Sequence, residues 1–278
     1  MSLFISSLNS GSNGNCYYIG NQEEAVLIDA GISCRETELR MSRLGLQMKR
    51  VKAIFISHEH SDHINGVHKL SKKYKLPVYI TKSTLQNGNL VVHEELVKPF
   101  KAYAPIHIGN LRITAFPKFH DAIDPHSFIV SSDVVNVGIF TDIGKTCNHL
   151  IKHFALCHAA FLESNYDEEL LEAGTYPLGL KNRIRDGRGH LSNSQALELF
   201  KKYKSPQLSH LVLSHLSKNN NSPKIVTDLF AKYAGNTEII IAPRHEETAL
   251  YHIRHRQSIK IAKAKAKDAQ HQLSLFQQ

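Results

Sequence analysis

The sequence predicts a layered fold of the α/β (or α+β) class. Short apolar runs recur along the chain and end in polar residues, which is typical of buried strands. Segments with apolar residues at helical spacing lie between these runs, and no internal repeat is present. A chain of 278 residues is long enough to bury a substantial core. One large domain that combines both kinds of element is therefore expected.

The first half of the chain is expected to be rich in strands. "LFISSL" and "NCYYIG" flank the turn-rich "NSGSNG", which predicts a hairpin or loop between two strands. "AVLIDAG" is an apolar strand that carries Asp29 at its carboxyl end, and "VKAIFIS" is the next one. Helices are predicted at 35–44 and at 64–74, where apolar residues recur at helical spacing.

The second half is expected to alternate strands and helices. Strands are predicted at "LRITAFPKF", "HSFIVSS", "VNVGIFTD" and "FALCHAAFLES". Ser192 and Gln195 form a capping-box pattern, which predicts a helix beginning at Ser192. "LSHLVLSH" and "TEIIIAP" complete the strands, with a helix at 223–233 between them. The pattern ends near Arg254, so we expect a catalytic domain over 1–253 and a basic, flexible tail over 254–278.

Composition and charge narrow the function class. The four cysteines form no C-x-x-C pair, and no signal peptide or apolar run of membrane-spanning length is present. A soluble, cytoplasmic protein without a membrane partner is expected. The net charge is +9, and residues 254–278 hold six Lys or Arg against one acidic residue. This balance favours a polyanionic partner, with a solubilising tail as the alternative.

Three histidines and an aspartate cluster in "SHEHSDH", with the pattern H-x-H-x-D-H at His58, His60, Asp62 and His63. A shuffled chain of this composition would contain the pattern roughly 0.003 times. The preceding strand ends near Ser57, so the motif lies on a strand-to-helix loop, where functional residues are common. The pattern indicates a loop that binds two adjacent metal ions, with a surface histidine patch as the alternative.

Three further side chains at strand ends complete two sets of metal ligands. His120, Asp142 and His215 each follow an apolar strand. Asp142 is suited to bridge, because its two carboxylate oxygens can face different ions. The predicted sets are His58, His60, His120 and Asp142 for one ion, and Asp62, His63, Asp142 and His215 for the other. Such ligands suit zinc and also accept manganese, so two divalent ions are expected.

The motif and the later residues, in this order, resemble the metallo-β-lactamase fold hydrolases over residues 1–253. The resemblance implies a four-layer αβ/βα sandwich and metal-dependent hydrolysis. It also implies that Asp29, which ends an early strand, supports the histidine loop without binding metal. "SGSNGNCYYI", "LESNYDEELL", "GHLSN" and "LSHLSKNNNSP" further resemble the YycJ (WalJ) group of nucleases within that superfamily.

The same resemblance implies catalytic roles for three residues. Asp62 would accept the nucleophile's proton, and Glu163 would orient His190 as the acid that protonates the departing oxygen. His190 as a metal ligand or an ordinary loop residue is the alternative. Four basic side chains in "LKNRIRDGRGH" are expected to hold a phosphate backbone, unless they form a solvated charge run: Lys181, Arg183, Arg185 and Arg188.

These features together predict a dimetal phosphodiesterase acting on nucleic acid, in particular a DNA exonuclease in repair or replication. Only 22 residues separate His120 from Asp142, which leaves no room for the long arm of the tRNA-processing relatives. Only 73 residues separate Asp142 from His215, too few for the large inserted domain of RNA-cleaving β-CASP relatives. The alternatives are a cytosolic lactonase or thioesterase of the same fold, and an RNA-processing nuclease.

The basic tail ends in an apolar cluster, "QLSLF", at residues 272–276. It resembles the short motif by which bacterial replication and repair proteins bind the DNA sliding clamp. The resemblance implies polar contacts from Gln272, while Leu275 and Phe276 fill a hydrophobic pocket and Leu273 adds to the cluster. Packing of the cluster back on the body is the alternative.

Overall fold

Two seven-stranded sheets pack face to face in the computed structural model, which describes residues 2–255. The first half contains β1 (Leu3–Asn9), β2 (Cys16–Gly20), β3 (Ala25–Ile28), α1 (Cys34–Arg43), β4 (Val51–Phe55), α2 (Ser61–Ile64), α3 (Val67–Tyr74), β5 (Val78–Tyr79), α4 (Lys82–Asn87), β6 (Val97–Lys98), β7 (Ile106–Ile108), β8 (Leu111–Pro117) and β9 (His126–Ser131). The second half contains β10 (Asn136–Phe140), α5 (Asn148–Phe154), β11 (Ala159–Glu163), α6 (Glu168–Ala173), α7 (Leu178–Arg185), α8 (Asn193–Tyr203), β12 (His210–Ser214), α9 (Pro223–Ala231), β13 (Glu238–Ile241) and β14 (Tyr251–Ile253). Within residues 2–255, no helix is both long and apolar enough to cross a membrane.

Each sheet combines an antiparallel part with a parallel part. The first sheet has the order β14-β1-β2-β3-β4-β5-β6, and its strands from β3 to β6 run parallel. The second has the order β13-β12-β11-β10-β9-β8-β7, and its strands from β10 to β13 run parallel. Parallel strands end at a common edge, so residues distant in sequence meet there.

Three hydrophobic clusters define four layers. The inner faces of the two sheets share one cluster, in which Phe55 of β4 lies with Phe128 of β9 and Phe161 of β11. Helices α1 and α3 cover the outer face of the first sheet. Helices α5, α8 and α9 cover the outer face of the second. The four-layer αβ/βα sandwich implied by the resemblance is confirmed.

The predicted strands and helices are largely present, with two local corrections. The helix predicted at 64–74 is wrong as one element, because the chain breaks at Gly66 into α2 and α3. A Cβ at Gly66 would lie 2.0 Å from the carbonyl oxygen of Ile32, so glycine lets this turn pack tightly against the loop after β3. The strand predicted at 154–164 begins only at Ala159, since Phe154 ends helix α5 and packs in the outer core.

Candidate metal centre

The predicted site residues meet at the carboxyl ends of central strands from both sheets. In the first sheet, Asp29 follows β3 directly and His58 lies three residues after β4. In the second sheet, His120 lies three residues after β8 and Asp142 lies two residues after β10. Glu163 ends β11, and His215 follows β12 directly. Candidate ligand atoms form four overlapping groups, and within each group they lie within 4.8 Å of one another.

The first group consists of three histidines, His58, His60 and His120. Nδ1 of His60 lies 3.1 Å from Nε2 of His58 and 3.3 Å from Nε2 of His120. Nδ1 of His120 donates to the carbonyl oxygen of Gly189 at 3.0 Å, and Nδ1 of His58 faces Ser57 Oγ at 2.9 Å. Burial lowers the pKa of His58 well below its usual value and that of His120 to about 4. Both rings are therefore neutral, with an Nε2 lone pair facing the group.

The second group consists of Asp62, His63 and His215. Oδ2 of Asp62 lies 3.6 Å from Nε2 of His63 and 3.7 Å from Nε2 of His215. Burial opposes ionisation of Asp62, but the neighbouring His63 brings its pKa to about 2. Asp142, which the sequence assigned to both predicted sets, belongs to the two remaining groups, with His58 and His63 in one and with Glu163, His190 and His215 in the other.

Asp142 lies between the two groups, with 2% of its surface exposed. Its Oδ2 is 3.2 Å from Nε2 of His63, and its Oδ1 is 3.6 Å from Nε2 of His215 and 3.8 Å from Nε2 of His120. One carboxylate thus reaches both groups, which is the position a bridging ligand needs.

Asp29 supports the histidine loop from behind. Its side chain is fully buried and accepts hydrogen bonds from the backbone N–H and the hydroxyl of Ser57, both at 2.8 Å. Its Oδ2 also lies 2.7 Å from Nδ1 of His63. A carboxylate at Nδ1 holds a proton on that nitrogen and orients the ring so that Nε2 faces Asp142. The contact lies on the side of His63 away from Asp142, and the supporting role of Asp29 stays a prediction.

Glu163 joins the metal centre to His190. Its fully buried Oε1 accepts from Nδ1 of His190 at 2.8 Å and from Nδ1 of His215 at 3.0 Å. Its Oε2 accepts from the backbone N–H groups of Ile143 at 2.7 Å and Leu191 at 3.1 Å. Burial opposes ionisation of Glu163, but the charge and hydrogen bond of His190 and the hydrogen bond of His215 bring its pKa to about 2. His190 keeps 23% of its side chain exposed, so its Nε2 edge is open to a substrate.

The donor atoms fit divalent cations. Oδ2 of Asp142 and Nε2 of His215 are buried yet have no hydrogen-bond partner anywhere in residues 2–255. Buried polar atoms are rarely left unpaired, because each costs about 1–3 kcal/mol. Imidazole nitrogens and carboxylate oxygens grouped at this spacing are the donor set of zinc and related ions. The superfamily pattern and these clusters suggest a two-metal site.

Backbone strain coincides with the same residues. Asp29, Asp142 and His215 have φ values of 61°, 55° and 58°, in the left-handed region that non-glycine residues seldom occupy. Each follows a strand of the parallel part, where the chain must turn sharply to present its side chain. Strain of this kind concentrates at functional sites and costs about 1–3 kcal/mol per residue.

Sequence reasoning did not single out Asn15 as a site residue. Its Nδ2 lies 3.1 Å from Oδ2 of Asp62 and 3.1 Å from Nε2 of His63. Its backbone N–H donates to the carbonyl oxygen of Asp62 at 2.7 Å, which ties the β1–β2 loop to the histidine loop. Asn15 lies in "SNGNCYYI", part of a segment that resembles the YycJ (WalJ) group, but the resemblance did not indicate a role for it.

The four basic residues expected to hold phosphate have different surroundings in the structure. Arg183 lines the cleft next to His190. Arg185 pairs with Glu172 at 2.6 Å, and Lys181 donates to the carbonyl oxygen of the same residue. Arg188 is absent from the residues that line the cleft.

A cleft of about 200 Å³ opens beside the metal centre. His190 and His215 line one part of it, and Tyr176, Leu180 and Leu216 supply apolar surface. The predicted motif residues Gln272, Leu273, Leu275 and Phe276 lie outside the described residues.

Known proteins resemble this chain in sequence and in fold. The sequence profile of the Metallo-beta-lactamase superfamily matches residues 10–177. Exodeoxyribonuclease YycJ of Bacillus anthracis is 32% identical over 230 residues, which cover 81% of this chain and 86% of that protein. Exodeoxyribonuclease WalJ of Streptococcus pneumoniae serotype 2 is 31% identical over 221 residues, covering 78% and 82%. The metallo-beta-lactamase fold protein YhfI from Bacillus subtilis matches with a TM-score of 0.69 at 14% identity, covering 89% of this chain and 99% of that one, and bears on the fold alone.

Proposed function

The chain belongs to the metallo-beta-lactamase superfamily, and we propose that it is a two-metal phosphodiesterase that removes nucleotides from DNA. It is a metal-dependent hydrolase by family, and both relatives at 31–32% identity carry the name exodeoxyribonuclease. Those relatives are covered over 82–86% of their length, so the likeness spans nearly the whole of each.

Seven side chains would hold the two ions: His58, His60, Asp62, His63, His120, Asp142 and His215. Zinc or manganese bound there would activate a water and withdraw charge from the phosphate and its leaving oxygen. The proposal is supported by the unpaired Asp142 oxygen and His215 nitrogen, which need a cation to compensate their burial.

Asp62 is proposed to take the proton of the attacking water. Its side chain stays 19% exposed, so a water molecule can reach the carboxylate. Asn15 Nδ2, at 3.1 Å from its Oδ2, fixes the orientation of that oxygen. A carboxylate held in one orientation next to the reacting groups accepts a proton without reorganising.

The observation that carries the proposal is the Glu163–His190 pair at the wall of the cleft. Nδ1 of His190 donates to buried Glu163 at 2.8 Å, which fixes the orientation of the ring and leaves Nε2 free to deliver a proton to a departing oxygen. The sugar oxygen released from a phosphodiester is a poor leaving group and needs such a proton. A thiolate leaving from a thioester does not, because the pKa of a thiol is about 8.5.

Cleavage of defined nucleic acids tests the proposal. Purified protein would be incubated with end-labelled single-stranded DNA, double-stranded DNA and RNA, with zinc, manganese or magnesium, and with EDTA as control. We expect metal-dependent release of nucleotides from DNA ends. Hydrolysis of lactones or thioesters without nuclease activity would instead support the small-molecule alternative. Cleavage confined to RNA would support an RNA-processing nuclease.

A cytoplasmic role in DNA repair or replication completes the proposal, through docking of residues 272–276 on the sliding clamp. The basis is the "QLSLF" sequence together with the basic residues that precede it. A peptide spanning Lys267 to Gln278 should bind the clamp with a dissociation constant of about 1 μM, which is typical of one small anchor. Leu275→Ala with Phe276→Ala should abolish binding and leave cleavage of short free DNA unchanged. Retained binding by this double variant would contradict the docking.

A further inference from the structure

Arg244 enters the cleft from the loop after β13. It lines the same cavity of about 200 Å³ as His190 and His215. No motif in the sequence marks it, and the proposed chemistry does not use it. Its guanidinium is nevertheless the centre of a local hydrogen-bond arrangement.

The β1–β2 loop holds Arg244 in place. Nη1 of Arg244 donates to Asn13 Oδ1 at 2.8 Å, and Nη2 donates to Ser12 Oγ at 3.0 Å. Asn13 Nδ2 donates back to the carbonyl oxygen of Arg244 at 2.7 Å. Gly11 has φ +125°, and a Cβ there would lie 2.9 Å from Nη1, so the loop leaves room for the guanidinium. Ser10 Oγ of this loop accepts the backbone N–H of His215 at 2.8 Å, which connects the loop to the metal centre.

Arg244 has no direct carboxylate partner in the described part of the chain. Among residues 2–255, the side-chain hydrogen bonds of Arg244 go to the neutral Ser12 and Asn13, and no carboxylate lies within ion-pair distance. The other arginine of the cleft, Arg183, pairs with Asp121 at 2.6 Å. Burial lowers the pKa of Arg244, and the opposing influence of Tyr176 and Asp62 is smaller. A guanidinium has five N–H donors, and the three hydrogen bonds to Ser12 and Asn13 leave donors for an anion.

We propose that Arg244 binds the DNA phosphate adjacent to the cleaved bond, and this inference rests on the proposed nuclease function. The guanidinium is preorganised by Ser12 and Asn13, and bidentate contacts to phosphate are the preferred geometry of arginine. Tyr176 and Leu216 supply apolar surface in the same cavity for the sugar and base of the end nucleotide. Arg244 would thus fix the register of the strand, so that the cleaved phosphate reaches the metal centre.

Removal of one phosphate charge at a time tests this contact. Short DNA substrates would carry a phosphate or a hydroxyl at each end, and a methylphosphonate or a normal phosphate at the linkage next to the one cut first. For the parent protein, one of these neutral substitutions should lower kcat/KM about tenfold to a hundredfold, the range of a charge-assisted hydrogen bond. In Arg244→Gln the same substitution should cost less than about twofold, because its partner is already gone. Arg112→Gln on β8 gives the same charge change away from the cleft and should behave like the parent.

Binding of metal-free protein to fluorescent DNA in EDTA gives a readout apart from catalysis. The slope of log binding constant against log salt should fall by about one unit in Arg244→Gln and not in Arg112→Gln. If the parent tolerates every neutral substitution, or if the Arg244→Gln and methylphosphonate effects are additive, Arg244 is not the phosphate contact. A parent protein that cleaves no nucleic acid would refute the proposed function itself, and the inference with it.

Discussion

Glu163 is the residue on which the metal centre and the proposed proton donor both depend, so Glu163→Gln tests them together. Its Oε1 accepts from Nδ1 of His190 and His215, and its Oε2 accepts from two backbone N–H groups. A glutamine has only one oxygen to offer. The backbone donors cannot change, so that oxygen should turn to them and the NH₂ group should face the two imidazoles.

The imidazoles must then accept at Nδ1, which moves their single proton to Nε2. For His215 this removes the Nε2 lone pair that faces Asp62 and Asp142. We therefore expect metal affinity to fall about 10–100-fold, the usual effect of losing a carboxylate behind a histidine ligand. His190 also loses the carboxylate that accepts from its Nδ1 and holds the ring in place. Cleavage of DNA should consequently fall about a hundredfold to ten-thousandfold, the contribution of a general acid.

The stability of the metal-free protein should fall much less. Glu163→Gln keeps all four donors and acceptors paired and exchanges charge-assisted bonds for neutral ones, a difference of about 1–3 kcal/mol. Glu163→Ala leaves the N–H groups of Ile143 and Leu191 buried without partners, and should cost about 3–5 kcal/mol. Urea denaturation in EDTA measures the free energy of unfolding, and calorimetric titration measures metal affinity.

Glu59→Gln is the matched control. Glu59 is another buried carboxylate near the histidine loop, and its Oε1 accepts from Asn87 Nδ2 and from the N–H of Ile123. Its Oε2 has no partner in the described part of the chain, so a glutamine NH₂ group can take that position. Metal affinity within about twofold of the parent in both variants would refute the tautomer reasoning, which requires a tenfold loss in Glu163→Gln alone.

Three further substitutions test separate features. In Asp142→Ala, metal analysis should show the loss of more than one ion per chain, because the Asp142 carboxylate reaches both groups of ligands. Loss of one ion or of none would contradict the bridging role. His190→Ala should keep its metal and lose most DNA cleavage. It should recover part of the rate on a nitrophenyl phosphodiester, whereas loss of metal would show that His190 is a ligand. Gly31→Ala should cost about 1–3 kcal/mol in urea denaturation, because a Cβ would lie 1.7 Å from the carbonyl oxygen of Asp62. Gly179→Ala, with no atom within 4 Å, should not be destabilised, and equal stabilities would contradict the packing.

Much of the site could be predicted because its residues lie at the ends of apolar strands. A buried strand is visible in sequence as an apolar run, and polar residues lie at or just beyond its carboxyl end, as with Asp29, Asp142 and His215. Parallel pairing then brings these ends together without any further local signal. The grouping of ligands followed from this rule and from the spacing of the histidine motif.

The contacts that depend on loop conformation could not be predicted. Arg183 pairs with Asp121, which lies 62 residues away, and nothing in the local sequence distinguishes it from Arg188. Arg244 and Asn13 are separated by 231 residues, and they lie in the segments that precede β14 and follow β1, two strands that pair at the edge of the first sheet. Residues 256–278 lie beyond the described structure, so the sequence interpretation of the tail stays a prediction.

The left-handed backbone at Asp142 and His215 also bears on any attempt to engineer the protein. Glycine and asparagine adopt this conformation at lower cost than histidine does. A screen that rewards resistance to heat in the absence of metal would therefore favour replacing His215, and would discard activity as it gained robustness. The same screen run with metal present would oppose that change, because ligand binding adds to the stability of the folded form. The presence or absence of metal during selection thus decides whether variants with higher thermal stability keep their activity or lose it.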